Sequence, residues 1–519
     1  MPGGNEYDDL PYESHAYGQT HPDHIGAVGR LVGLACRPVD EARVLELGCG
    51  EGGNLIPMAY AAPRGRFVGV DLSGRQIEVA IDEARRLGLE NVEFVHASIT
   101  ELVPETLGKF DYVICHGLYS WVPAEVREAI LRITGAVLAD DGVAYISYNT
   151  KPGWTIRTAV REMMEFHNRK RTDNNARVEQ GRAFLDWLIE GWGDLGGAWR
   201  EAVQVEAKRI AGLPDWYVLH DNLAAVNQPF WLHEFVMAAD AQGLGYLGDA
   251  IPAVMFPSNY PDKLAQTLIE SGADQWVVEQ YFDFASFRGF RHTLLWTGKV
   301  DIDRRLVADK LDQLLLVIRA SPQGEVVYTD DSEVTFTSAD GVEVTTTDPA
   351  IKAALSYGAT HGPRAATLDA LNAWVASQTG LEATPELRHK LAVNLLHGVA
   401  RDVVLPRLAD RPFVMTPGER PLALPYARRQ VEKGIRSATS FVHEQVRLSP
   451  FDRELLLGCD GTRDRDGLVA FLLQAVKEGR IEVMGPQGPF QSEAEAEEGI
   501  RIGLVSAIAA LGARAMFVA

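Results

Sequence analysis

The sequence predicts an α/β protein built on a doubly wound, mostly parallel sheet. Two observations carry that expectation. The segment Val44-Leu-Glu-Leu-Gly-Cys-Gly-Glu-Gly-Gly-Asn54 is an apolar run that ends in a glycine-rich turn and leads into a helix-forming stretch, and Phe67-Val-Gly-Val-Asp71 is a second apolar run ending in a carboxylate. Together they form a βαβ unit, in which Gly48 and Gly50 let the backbone turn tightly and approach a ligand that a Cβ would exclude. Beyond it, strand-like and helix-like segments keep alternating at lengths that suit a parallel sheet with helices on both faces.

The elements follow in order. Residues 24–36 read as a helix leading into a first strand, Val44 to Leu47. Ser73-Gly-Arg-Gln76 reads as a capping box opening a helix with apolar positions Ile77, Ile81 and Ala84, which Gly88 stops. Strands are expected at Val92 to Val95 and Tyr112 to Cys115. Val126, Ile130, Ile133 and Val137 line one face of the next helix, and Asp140-Asp-Gly142 turns into a fifth strand, Val143 to Ser147. Phe230 to Gly243 reads as a helix, Leu244 to Asp249 as a short strand, and Phe290 to Trp296 as a late antiparallel one. Residues 151–229, rich in Trp and Arg, then form a largely helical insertion.

After about residue 304 the pattern changes. Val334 to Val344 alternates around Asp340-Gly341, a hairpin signal, and helical patterns follow at 365–377 and 386–399. Ser449-Pro450-Phe-Asp452 starts a capped helix. Another helix ends near Gly479, ahead of a strand from Ile481 to Met484, and these pieces suit a winged-helix-like module. Ile500 to Ala519 reads as a terminal docking helix. The expected division is 1–300, 301–440 and 441–519.

Composition narrows the function classes. At 519 residues the chain exceeds what one core supports. Its formal net charge of −21 argues against a nucleic-acid backbone as main partner. Cys36, Cys49, Cys115 and Cys459 show neither metal-ligand nor disulfide spacing, which suits a reducing, cytoplasmic location. The opening residues Met1-Pro-Gly-Gly-Asn-Glu carry no signal pattern, and Arg501 and Arg514 interrupt the most apolar span, so stable membrane insertion is not expected. No metal is expected.

Chemistry concentrates around the glycine loop. Asp71, 21 residues after Gly50, sits where an acid accepts hydrogen bonds from ribose hydroxyls. Gly53 completes a dinucleotide fingerprint, yet Glu46 would meet a pyrophosphate with like charge. A carboxylate there suits an ammonium, as on the methionine moiety of S-adenosyl-L-methionine; a dinucleotide site or a purely structural loop is the alternative. Cys49, Asn54 and Gln76 join this set by position. Leu72 is expected to pack on the adenine face, and Ala97-Ser98 to frame the adenine edge. In the loop after the fourth strand, His116 lines the methionine end, while Tyr119 and Trp121 wall an acceptor channel; packing of that loop is the competing reading. The polar turn Tyr17 to Pro22 is a candidate to close over the ligand. His220-Asp221-Asn222 and His233 are candidates for the acceptor pocket.

The combination of Gln19-Thr-His-Pro22, Glu46-Leu-Gly-Cys-Gly50, His116-Gly-Leu-Tyr-Ser-Trp-Val-Pro123, Ser147-Tyr-Asn-Thr150 with Pro152-Gly-Trp154, and Pro229-Phe-Trp-Leu-His-Glu-Phe235 resembles the class I methyltransferases that carry a methyltransferase regulatory domain, among them bacterial outer-membrane-protein lysine methyltransferases. The resemblance covers most of the first 300 residues. It implies a Rossmann-like seven-stranded methyltransferase domain with a helical insertion, followed by a mixed α+β region with the winged-helix-like module. It also implies S-adenosyl-L-methionine as cofactor and methyl transfer to a nitrogen acceptor, protein lysine being one candidate. Glu46, Gly48, Gly50 and Asp71 match its cofactor motif; many class I enzymes have an acid where Ser98 stands. The alternatives are a small-molecule or peptide acceptor, or a cofactor-binding regulatory protein without turnover. A homodimer is a further expectation.

Overall fold

The computed structural model describes residues 14–193, 195–485, 488–489 and 492–518; the expected lack of a signal pattern at residues 1–6 lies outside them. Helix α1 (Pro22–Leu31) precedes β1 (Arg43–Leu47), α2 (Leu55–Ala61), β2 (Arg66–Asp71), α3 (Gly74–Arg86), β3 (Val92–His96), β4 (Phe110–Cys115), α4 (Ala124–Val137) and β5 (Leu138–Asn149). Three insertion helices follow, α5 (Trp154–Asn168), α6 (Asn174–Gly191) and α7 (Gly197–Ala211), then α8 (Leu232–Asp240), β6 (Gly245–Asp249), α9 (Asp262–Glu270), α10 (Gln275–Ser286) and β7 (Phe290–Trp296). The sheet has the order β3-β2-β1-β4-β5-β7-β6, parallel through β5, with β7 antiparallel between β5 and β6. Its central strands are buried almost throughout, as strands covered on both faces must be.

Several local expectations are corrected. Strand β5 begins at Leu138, not after a turn at Asp140–Gly142: Leu138 pairs with Phe110 and Val143 with Tyr112, so a register shift absorbs the extra residues. In α3 the core face is Ile77, Ala80 and Ala84, and Ile81 is exposed, because the helix starts at Gly74 and rotates Ile81 off that face. The Ser73 hydroxyl accepts from Gln76 N, but the Ser73 amide donates to the Asp71 carboxylate, which takes the place a capping-box glutamine would fill. Helix α1 ends at Leu31, five residues early.

The second half has its own small sheets. β8 (Leu315–Ile318) pairs with β12 (Val404–Arg407); β9 (Ala320–Pro322) and the hairpin β10 (Val334–Ser338) and β11 (Glu343–Thr346) form a three-stranded sheet. Helices α11 (Pro349–His361), α12 (Leu368–Thr379) and α13 (Pro385–Ala400) pack with them around Leu316, Phe336, Leu371 and Leu391. The C-terminal part holds β13 (Phe413–Val414), α14 (Pro425–Glu432), the hairpin β14 (Ser437–Thr439) and β15 (Gln445–Arg447), α15 (Pro450–Gly458), α16 (Arg465–Lys477) and α17 (Glu493–Gly512). Met484–Gly485 pairs with Gly488–Pro489, so the strand expected from Ile481 is reduced to its last residue. The terminal helix stops at Gly512, where a Cβ would lie 1.8 Å from Met415 O, and the chain turns into β16 (Phe517–Val518) against β13. This C-terminal part shares one core with the sheet, running from Val44, Phe67 and Tyr112 to Phe413, Leu468 and Phe517. Arg429 and Lys433 of that part bind Glu83 of α3 at 3.1 and 2.7 Å.

Candidate active site

The glycine loop is shaped by its backbone. Gly48 and Gly50 lie at φ 79° and 54°, conformations a β-carbon disfavours. Gly48 N and Cys49 N both donate to Val70 O, and Gly50 N donates to Asp71 Oδ2 at 2.9 Å. With Ser73 N on its other oxygen at 2.9 Å, Asp71 is held rigidly at the end of β2. Leu72 beside it is 63% exposed, a large apolar face available to a ring. Gln76 stands at the loop, its Oε1 3.7 Å from where a Gly50 Cβ would be.

Glu46 points from β1 into the same place and is buried. Its Oε1 accepts from Asn54 Nδ2 at 2.7 Å, and its Oε2 has no hydrogen-bond partner. Burial drives its pKa up to about 8 against the opposing Asn54 bond, with Asp71 adding repulsion. A buried carboxylate with an orphaned oxygen is costly unless a cation arrives. That is the fit expected for the ammonium of S-adenosylmethionine, and Asp71 at the glycine loop suits its ribose.

Other predicted residues take different roles. Asn54 faces Glu46 and the N-terminal turn rather than open space, because its amide is consumed by those bonds. The Cys49 side chain packs under Gly69, and its backbone is engaged by Val70 O and Gly52 N. Ala97 N donates to Asp71 O, continuing the strand. The Ser98 hydroxyl is occupied by Thr100 N and Thr100 Oγ1 in a capped turn, so its availability to adenine is reduced.

The N-terminal turn does lie over the loop. Gly53 N donates to Ser14 Oγ at 2.9 Å, Tyr17 N to Asn54 Oδ1 at 3.1 Å, and the Tyr17 ring sits 4.0 Å from that of His116. Burial, then Glu46 and Asp221, push the Tyr17 hydroxyl up to about 12, so it stays a donor.

His116 leaves β4 into a neutral polar chain. Its Nδ1 is 2.9 Å from Tyr145 Oη, which is 2.6 Å from His292 Nδ1, and 3.2 Å from Ser147 Oγ. Burial, and then His292, lowers the His116 imidazole to about 3; burial and Arg288 lower His292 to about 4. Neither ring carries charge at neutral pH. Tyr145 and His292 were missed in sequence; the signal was the two-residue alternation on β5 and β7, where Ser147 pairs with His292.

Tyr119 does not line an open channel. It is 3% exposed, and its ring packs on Phe235, Phe230 and Tyr148 at 5.1, 5.3 and 6.1 Å, because the short turn at Tyr119–Trp121 rotates it inward. Trp121 stacks edge-on against Trp154 and lines a cavity of about 170 Å³ with Arg177, His220 and Leu223 of the insertion. Asp221, raised to about 6 by burial, lies close enough to affect Tyr17, and both amide atoms of Asn222 are buried without partners. His233 is drawn away to Gln280 and serves the start of α8. Among the described residues no cluster of His, Cys, Asp or Glu could hold a metal, and no helix is long and apolar enough to cross a membrane.

Comparison with known proteins shows what the chain is similar to. Residues 38–192 match a model of a methyltransferase domain, 214–296 a predicted methyltransferase regulatory domain, and 419–516 the C-terminal winged helix domain of PKMT. The uncharacterized protein RP789 of Rickettsia prowazekii is 31% identical over 92% of this chain and 87% of its own. The structure of PKMT2 from Rickettsia typhi in complex with AdoHcy superposes with a TM-score of 0.88, at 27% identity, over 98% of this chain and 100% of that one. A second structure of the same Rickettsia typhi protein gives 0.87 over the same shares, also at 27% identity.

Proposed function

This chain belongs to the PKMT-type methyltransferases, S-adenosylmethionine-dependent enzymes with a regulatory domain and a C-terminal winged helix, and we propose that its acceptor is the side-chain amine of protein lysine. The observation that carries the proposal is the whole-length likeness to PKMT2, winged helix included, joined to an acceptor side that holds neutral polar groups beside His116.

S-adenosylmethionine supplies an electrophilic methyl on a sulfonium. The chain's own residues have three tasks. Glu46 neutralises the ammonium of the cofactor, and Asp71 with the glycine loop orients its ribose. The neutral chain His116–Tyr145–His292 and the Tyr17 ring exclude water and place no repelling cation beside the incoming amine. The amine must arrive without its proton. Asp221, close enough to Tyr17 to raise its hydroxyl and itself raised to about 6 by burial, is the carboxylate we assign to take it as a base. Trp121 and the insertion cavity form the approach.

The reading includes a cytoplasmic location, supported by four buried free cysteines; no nucleic-acid partner, supported by the charge of −21; and a homodimer, which light scattering after size exclusion decides. It also keeps a methyltransferase unit to about residue 300, a middle unit, and the winged-helix module.

The test is transfer from labelled S-adenosylmethionine to a lysine-rich protein, before and after its amines are blocked by acetylation. Label on lysine in the untreated protein alone is expected. Equal labelling of both, or labelling of small amines only, overturns the lysine assignment.

A further inference from the structure

Asn54 gathers bonds from widely separated parts of the chain. Its Oδ1 accepts from Tyr17 N at 3.1 Å, from Thr20 Oγ1 at 3.2 Å and from His443 Nε2 at 2.8 Å, while its Nδ2 donates to Glu46 Oε1 at 2.7 Å. The His443 contact is the shortest of the three into that oxygen. Because an amide oxygen only accepts, Nε2 of His443 must carry the proton, which assigns the tautomer.

His443 lies 389 residues from Asn54, inside the winged-helix stretch. The β14–β15 hairpin delivers it: Ser440 N donates to Glu444 O at 2.9 Å and His443 N to Ser440 O at 3.0 Å, closing a tight tip. His443 itself sits at φ 64°, a left-handed conformation that costs roughly 1–2 kcal/mol for a residue with a β-carbon. Its surroundings hold it there. The ring is 2% exposed and packs edge-on against His21 at 5.0 Å, and the hairpin is pinned by Phe441 N donating to Ala515 O at 3.0 Å. A Cβ at Gly18 would come within 3.4 Å of His443 O, so the tip also rests on the N-terminal turn.

We propose that His443 is a positioning residue of the cofactor site: through Asn54 it holds Glu46 with one oxygen engaged and the other left for the cofactor's ammonium, so the winged-helix domain completes the methionine end of that site. Without this donor, Asn54 loses its shortest anchor and keeps only the longer Tyr17 and Thr20 contacts on Oδ1, so its amide turns more readily away from Glu46, which has no other hydrogen bond. Burial and the neighbouring Arg411 and Arg407 keep His443 uncharged down to about pH 3, so the bond persists over the working range.

The proposal rests on the cofactor reading, and its test separates the two. Calorimetric Kd values are measured for S-adenosylhomocysteine and for 5′-methylthioadenosine, which keeps adenosine and sulfur but has no amino-acid end. His443→Asn suits the left-handed backbone yet falls short of Asn54; His443→Gln places an amide N–H near the Nε2 position. Expected for His443→Asn is a roughly tenfold loss of S-adenosylhomocysteine affinity, the worth of about one hydrogen bond. Methylthioadenosine binding should stay within about twofold, and His443→Gln should recover most of the loss. Should His443→Asn fail to fold in a thermal melt, His443→Met, which fills the space without a donor, is read the same way. Equal weakening of both ligands, or unchanged S-adenosylhomocysteine binding, overturns the proposal. Wild-type protein that binds neither ligand overturns the cofactor reading and the proposal with it.

Discussion

The Gly50 amide donates to Asp71 Oδ2 across 2.9 Å, and that single bond ties the glycine loop to the end of β2. Asp71 is thereby fixed before any ligand arrives, so ordering its side chain does not subtract from binding. Asp71→Ala removes both that brace and the ribose acceptor. Charge-assisted bonds are worth about 1.5–3 kcal/mol each, so S-adenosylhomocysteine affinity should fall at least about a hundredfold in calorimetry. Unchanged affinity would remove Asp71 from the site.

On the proposed role of Glu46, cofactor binding should release protons. Its carboxyl in the free protein titrates near 8 through burial, so it is mostly protonated at pH 7, and the ammonium binds the ionised form. Calorimetry in two buffers of different ionisation enthalpy should report release of close to one proton at pH 7, and affinity should weaken as pH falls below 8. Glu46→Gln abolishes the release. The sign for stability is opposite: the folded state holds the proton more tightly than the unfolded chain, so ligand-free stability falls as pH rises from about 4.5 to 8. Glu46→Gln should therefore raise the Tm of ligand-free protein above pH 8.

His116 is neutral across the physiological range, so the pH–rate profile should show no limb near 6.5 from imidazole. A limb near 6 that disappears in Asp221→Asn would identify the acid in the insertion instead. A profile limb that disappears in His116→Gln would contradict the neutral chain.

Tyr119 belongs to an aromatic core. Tyr119→Phe keeps the ring contacts with Phe235 and Phe230 and should leave turnover and Tm nearly unchanged. Tyr119→Ala should cost about 3 kcal/mol or more in urea unfolding. A large turnover loss in the Phe variant would return the hydroxyl to the acceptor site.

Arg291, fully buried on β7, donates to Asp283 at 2.7 and 2.9 Å, to Glu279 at 3.0 Å and to Tyr246 Oη at 3.1 Å. Arg291→Met leaves the buried Glu279 without its cation and Asp283 with Arg288 alone, at 2.6 Å, and should destabilise by about 3–5 kcal/mol, read as a lowered denaturation midpoint. A small effect would mean that water replaces the guanidinium there.

The sequence by itself determined the elements whose causes are local. Gly48, Gly50 and Asp71 declare their turn and strand end within 24 residues, and Phe290–Trp296 reads as a strand from a contiguous run after Gly289. The cofactor class was equally legible, since a carboxylate at Glu46 beside a glycine loop selects a cation. Only the tertiary structure decided what depends on long-range packing. Whether Tyr119 faces a channel or a core turned on Phe230 and Phe235 far along the chain. That Asn54 braces Glu46 depended on Tyr17 and on His443, 389 residues away. The chain His116–Tyr145–His292 required β5 and β7 to pair antiparallel in one register. Local propensity does not specify partners at such distances; burial and hydrogen-bond satisfaction in the assembled core do.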